Sequence, residues 1–302
     1  MNASNDKRVY PALALAIIGI SFASIFIKQL ELRNVPPLVI AGYRLLFAVA
    51  ILAAPALVYH TKEMKELSGN DWLLLVLSGF CLAIHFGAWN FSFKYIPIAR
   101  SVVIVDSQPI FTVIAAWLLL GEKISRWSIV GALLSVAGIA TITLFESDLS
   151  NTKTVESGLG DLLALIGAIS ISGYVLIGRK LRSKMSLLAY VVPVYLISAL
   201  MLFAAAIIRG NSLTAYPLSD YKYFAALAVI PTIFGHTVFN WALKEVNATV
   251  VSVSFLGEPI GASVLAFLFF AQVPSKYTWL GGALILIGIY LTSLNSNRQK
   301  MA

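Results

Sequence analysis

Three ionised side chains stand inside long apolar runs of this sequence: Arg44, Asp106 and Glu258. Charges are rare in such runs and usually face a cavity or a partner, so each is a functional candidate. Asp106 lies three residues before Pro109 and shares a helix face with it, and Glu258 directly precedes Pro259. A carboxylate so placed can bind and release a proton as a cavity opens to either side, or recognise a substrate amine. The structural alternative is a buried ion pair, such as Arg44 with Asp106, that locks helices together. A second polar set comprises His85, Trp89 and Asn90, with His236, Asn240 and Trp241 further on. His85 and Trp89 are four residues apart, as are His236 and Asn240, which puts each pair on one helical face. Histidine titrates near neutral pH and suits proton coupling; its structural alternative is a hydrogen bond to a neighbouring helix. Trp89 is placed to stack on a substrate.

The elements that position these residues are transmembrane helices. The chain has 302 residues, of which 59% are hydrophobic and 12% charged, and its mean hydropathy is +0.86. A soluble domain carries roughly 25% charged residues, so an ordinary cytosolic protein is excluded. About 20 apolar residues of helix cross a bilayer, and ten runs qualify or nearly do: 9–27, 36–58, 71–93, 97–120, 127–145, 160–178, 186–208, 221–243, 247–271 and 277–295. The first follows Lys7 and Arg8 but lacks a convincing cleavage site, so it is read as a retained span rather than a signal peptide.

The run from Asn90 to Leu144 recurs 150 residues later without a gap. Asn90, Lys94, Pro109, Gly131 and Gly138 are answered by Asn240, Lys244, Pro259, Gly281 and Gly288, and about thirteen of the 55 aligned positions are identical. Internal repetition fixes architecture before any other signal. The expected fold is an all-α integral membrane protein of ten transmembrane helices in two inverted five-helix repeats. The repeats span residues 1–147 and 161–302, joined by the polar connector 148–160. Because five is odd, the second copy enters the membrane upside down, and such pairs hold their substrate near the midplane. Pro109 and Pro259, preceded by Gln108 and Glu258, predict matched kinks lining the pathway.

The net charge of +8 is scattered between apolar runs, which reads as topology rather than a nucleic-acid patch. Its clearest element, the Arg179–Lys184 cluster, favours a cell-membrane protein with both termini cytoplasmic. Cys81 is the only cysteine, so a Cys-based metal cage and an intramolecular disulfide are excluded. Trp72, Trp127 and Trp279 fall at span ends, where interfacial tryptophans concentrate. Gly131, Ser135 and Gly138, with Gly281, Gly282 and Gly288, form small-residue faces suited to scaffold packing or a homodimer. No cofactor motif, metal-ligand spacing or catalytic constellation is present, and no enzyme activity is expected.

The segment HFGAWNFSFKYIPIARSVVIVDSQPIFTVIAAWLLLGEKIS, from His85 to Ser125, resembles the EamA family of the drug/metabolite transporter superfamily, as does the run from Asn240 through ALKEVNATVVSVSFLGEPIGASVLAFLFFAQ. The spacing from Pro109 to Gly121-Glu122 is its most specific mark, and Ala271-Gln272 replaces Gly-Glu in the second half. The resemblance covers nearly the whole chain. It implies ten helices, cytoplasmic termini and a cavity lined by spans one, three, four, six, eight and nine. It also implies export or exchange of small metabolites, often amino acids.

The expected function is therefore a secondary transporter of small polar metabolites, amino acids or derivatives, working by alternating access, with protons as a candidate coupling ion. The alternatives are a phosphorylated-sugar or nucleotide-sugar exchanger, which needs cavity cations and finds Arg44 and Arg100, and a non-transporting membrane subunit.

Overall fold

The computed structural model describes residues 8–92, 95–96, 101, 104–122, 124–146, 157–214, 216–270 and 276–296. Lys94, Arg100, Ala271-Gln272 and connector residues 147–156 lie outside the described residues. Among those described, all regular structure is helical. The order is α1 (Val9–Ser21), α2 (Ala23–Glu31), α3 (Pro37–Tyr59), α4 (Thr61–Lys65), α5 (Gly69–Ser92), α6 (Gln108–Leu120), α7 (Arg126–Glu146), α8 (Ser157–Arg182) and α9 (Leu187–Ile208). It continues with α10 (Leu218–Leu227), a π-helical segment (Ala228–Thr237), α11 (Val238–Glu245), α12 (Ala248–Phe255), α13 (Glu258–Phe270) and α14 (Lys276–Ser296).

Helix follows from the solvent and the length of the runs, since a bilayer offers no partner to a backbone N–H or C=O and an apolar stretch of about 20 residues satisfies them within itself as a helix. Seven stretches among the described residues are long and apolar enough to cross a membrane. Three shorter apolar helices, Gln108–Leu120, Arg126–Thr141 and Trp279–Thr292, accompany them. The outer surface carries large apolar side chains such as Leu57, Leu119, Ile208 and Trp279, which suit contact with lipid rather than water. The chain is a multi-pass membrane protein. Helix ends are set locally: Asn247 accepts from the Val250 amide at 3.0 Å to start α12. Gly121, at φ 63°, ends α6 in the left-handed conformation that other residues avoid.

The prolines behave differently from the expected kinks. Pro109 and Pro259 are each the second residue of a new helix, α6 and α13, after the breaks Asp106–Ser107 and Leu256–Gly257. A proline at the start of a helix sacrifices an N–H that has no intrahelical acceptor anyway, so breaking is less costly here than bending. The carbonyl just before each proline is then met by a serine from another helix: Ser172 on α8 donates to the Gln108 carbonyl at 2.9 Å, and Ser21 on α1 donates to the Glu258 carbonyl at 3.1 Å.

The tightest packing joins α7 to α14. A Cβ on Gly131 would lie 2.5 Å from the Gly288 carbonyl oxygen, and a Cβ on Gly138 equally close to that of Gly281. The small-residue faces read as scaffold or dimer surface are thus spent on each other within the chain. The partners are exchanged, because 131 + 150 gives 281 and 138 + 150 gives 288, while Ser135 donates to the carbonyl of Ile285, its own counterpart, at 3.4 Å. An antiparallel helix pair related by a local two-fold axis beside Ser135 has this register.

Candidate functional site

The site is assembled from α3, α5, α8, α9 and the helices that surround the two breaks. Arg44 on α3 is 4% exposed. Its Nε donates to Thr232 Oγ1 at 2.8 Å, and its guanidinium covers the Phe86 ring at 4.7 Å. Thr232 lies in the π-helical segment, where Pro231 cannot bond the Leu227 carbonyl; the Thr232 hydroxyl, at 2.8 Å, fills that place. The wide π turn is a frequent mark of functional sites, and here its threonine is left to accept from Arg44.

Phe86 is the hub of an aromatic cluster. His236 meets its edge at a ring distance of 5.8 Å and lies 5.6 Å from Phe255, which itself stacks on Phe239 at 4.1 Å. His85 stacks on Trp89 at 5.6 Å and packs against Phe86 at 5.1 Å. Its Nδ1 bonds the Gly167 carbonyl at 3.1 Å, so that nitrogen carries the proton. The helix-tying role weighed for intramembrane histidines therefore applies to His85. His236 differs, for among the described residues its buried Nδ1 has no partner.

Asn240, 1% exposed, donates to the Tyr174 hydroxyl and, at 2.8 Å, to the His236 carbonyl, while its Oδ1 is buried without a partner. Tyr195 joins this network at 3.5 Å from the Asn240 Nδ2 and bonds Thr237 at 3.1 Å, whereas Tyr190 bonds Ser78 at 2.7 Å. Tyr174, Tyr190, Tyr195, Phe86 and Thr232 were not singled out from sequence. Tyrosines in apolar spans are common, and only the fold shows that two of them, Tyr174 and Tyr195, meet at one asparagine.

Gln108 bridges the halves of the chain. Its Nε2 donates to the Ser252 carbonyl at 2.9 Å, and its Oε1 accepts from Ser252 Oγ at 2.6 Å and Thr112 Oγ1 at 3.0 Å. Asp106 and Glu258, at the breaks, are half-buried and within electrostatic reach of each other. Glu258 is also within reach of Arg44, yet among the described residues neither carboxylate forms a close ion pair with it. The locking pair weighed as an alternative, Arg44 with Asp106, does not form. Of the remaining sequence candidates, Asn90 and Pro109 are buried, Pro259 is half-buried and Trp241 packs on the core's edge. Among the described residues no group of His, Cys, Asp and Glu has the geometry of a metal site.

One end of the bundle is tied by a second polar set. Arg179 Nε donates to Glu122 Oε1 at 3.0 Å and its Nη1 reaches the Leu243 carbonyl, joining the ends of α6, α8 and α11. Glu122 belongs to the Gly-Glu pair singled out in the sequence. The cleft beside it, lined by Trp117, Gly121 and Ile129 among others, opens on the outer face of α6 and α7, away from the aromatic cluster.

Comparison with known proteins agrees with this architecture. The family described as EamA-like transporter family matches residues 8–144 and again 158–294. An "Uncharacterized transporter" of Archaeoglobus fulgidus is 24% identical over 97% of this chain and 100% of its own length. A "Probable amino-acid metabolite efflux pump" of Escherichia coli is 24% identical over 95% of each chain. A human "Solute carrier family 35 member G1" is 25% identical over 88% of this chain and 73% of that one. A solved crystal structure superposes with a TM-score of 0.82 at 19% identity, covering 96% of this chain and 98% of the other, so the two share a fold.

Proposed function

Because this chain belongs to the EamA-like transporter family, we propose that it is a secondary transporter exporting or exchanging small polar metabolites, amino acids or their derivatives, across the cell membrane by alternating access. The observation that carries this reading is the placement of Arg44, Asp106 and Glu258 in an apolar bundle, with Glu258 within electrostatic reach of both others and, among the described residues, no close ion pair joining them. Three charges are too costly there to serve as scaffold, and their arrangement leaves them open to a ligand. This chain's relatives are named as transporters, and two of them, from Escherichia coli and Salmonella typhimurium, as probable amino-acid metabolite efflux pumps.

In this reading residues 1–147 and 161–302 are two inverted five-helix repeats of a ten-span protein, with both termini cytoplasmic. The exchanged glycine partners of α7 and α14 and the two family matches support the repeats. The basic cluster Arg179–Lys184 supports the orientation. The breaks before Pro109 and Pro259 are the hinges, and His85, Trp89, Asn90, His236, Asn240 and Trp241 line the path with Gln108. A phosphorylated-sugar substrate ranks lower, since Arg44 is the one cation that the described residues bring to the cluster.

The direct test is counterflow of labelled amino acids in proteoliposomes, with and without a pH gradient. Uptake that exceeds protein-free vesicles is expected, and silence across a broad panel of amino acids and derivatives overturns the reading. Asp106→Asn and Glu258→Gln should each slow transport at least about tenfold; unchanged rates in both remove the carboxylates from the mechanism.

A further inference from the structure

We propose that Arg44 is the anion anchor of the transported solute, and that the ligand is a zwitterionic α-amino acid with its carboxylate on the free guanidinium edge and its ammonium facing Glu258. This deepens the transporter reading above and rests on it.

The argument starts from what Arg44 lacks. Its Nε is spent on Thr232 and one flat face lies over Phe86, but among the described residues the buried Nη2 has no hydrogen-bond partner. A buried cationic N–H left unpaired costs more than a neutral one. A purely structural arginine would be expected to close on the nearest carboxylate. Glu258 acts on Arg44 through space without a close ion pair between them. Two opposite charges held apart in a low-dielectric interior are complementary to a molecule that carries both signs a short distance apart.

The neighbouring orphans have the same logic. Thr232, His236 and Asn240 follow one another at four-residue intervals, and the buried His236 Nδ1 and Asn240 Oδ1 are also unpartnered. Arg44 is within electrostatic reach of His236 as well. An ammonium has three N–H donors, which the Glu258 carboxylate and the Asn240 oxygen can accept; a carboxylate has lone pairs for the Arg44 fork. Remove either charged end of the ligand and one of these groups stays orphaned, which is how a polar site gains selectivity.

The test uses the full chain in nanodiscs or proteoliposomes. Threonine, leucine and phenylalanine are each compared with the amine lacking the carboxylate and the acid lacking the amine, by thermal shift and by competition for uptake. The wild type should be stabilised by at least one amino acid, with its two truncated analogues about tenfold weaker or worse. Arg44→Gln should weaken amino-acid binding at least about tenfold and abolish the preference over the amine, and Arg44→Lys, which keeps the charge but not the fork, should fall between. Thr232→Val unties Nε while leaving the charge, and should weaken binding less than Arg44→Gln does; it also serves if Arg44→Gln does not fold.

Equal binding of amine and amino acid, or unchanged affinity in Arg44→Gln, overturns the anchor. If the wild type takes up some other polar metabolite and none of these zwitterions, the anchor falls and the transporter reading stands. If it takes up nothing, both fall.

Discussion

Gly131 and Gly288 face each other so closely that a Cβ on Gly288 would lie 2.4 Å from the Gly131 carbonyl oxygen. The Ser135 hydroxyl would lie nearer still and can rotate away, but the Gly131 carbonyl belongs to the backbone, so α7 and α14 must part if Gly288 grows. Gly288→Ala should cost about 1–3 kcal/mol, the usual range for overpacking, whereas Gly282→Ala, whose new methyl would meet Ile260 at an ordinary 3.8 Å, should be neutral or slightly stabilising. Thermal unfolding in detergent separates the two, and equal effects would show that the interface is looser than described.

Gln108 satisfies Ser252 twice and Thr112 once. Gln108→Leu keeps much of the volume but leaves the Ser252 and Thr112 hydroxyls only their bond to each other, at 3.1 Å, and should cost about 1 kcal/mol. A melting temperature equal to the wild type's would mean that α6 and α12 are not joined through this side chain.

Glu122 and Arg179 are both partly buried, and their pairing joins helix ends from the two halves. Glu122→Gln and Arg179→Gln should each destabilise the protein, and the double variant should lose less than the sum, with a coupling of roughly 1 kcal/mol. Strict additivity in that cycle would mark the pair as incidental.

Glu63 sits on α4, outside the spans. Burial pushes its carboxyl upward, but bonds from Ser186, whose backbone N–H donates at 2.5 Å, and from His60 outweigh it and hold the group below the ordinary carboxylate range. A depressed folded value contributes stability that is fully present above the unfolded value of about 4.3 and is lost as pH falls through the lower folded one. The wild type should therefore lose stability below about pH 4.3 more steeply than Glu63→Gln does. Parallel acid-side melting curves for the two proteins would contradict this.

Much of the molecule is legible before folding. Apolar runs of about 20 residues dictate helix because the bilayer cannot satisfy an open backbone, and the recurrence of Asn90, Pro109, Gly131 and Gly138 150 residues later marks the doubled plan. The isolated charges Arg44, Asp106 and Glu258 announce themselves by their cost. The sequence placed the matched prolines inside helices, and the structure turns them into helix starts, because a first-turn N–H has no intrahelical acceptor and its loss there costs little, while the breaks let the carbonyls just before the prolines meet other helices. Ser172 and Ser21 meet them from helices far away in sequence.

What only the tertiary structure decided is partnership. Periodicity assigns a residue to a face of its own helix but says nothing of which helix that face will meet. That Arg44 binds Thr232 instead of Asp106, that Tyr174 and Tyr195 meet at Asn240, and that each glycine of α7 opposes the counterpart of the other are outcomes of packing between distant segments. Composition and spacing settle the solvent and the elements because those energies are local, whereas the site is made by contacts that exist only once the helices are assembled.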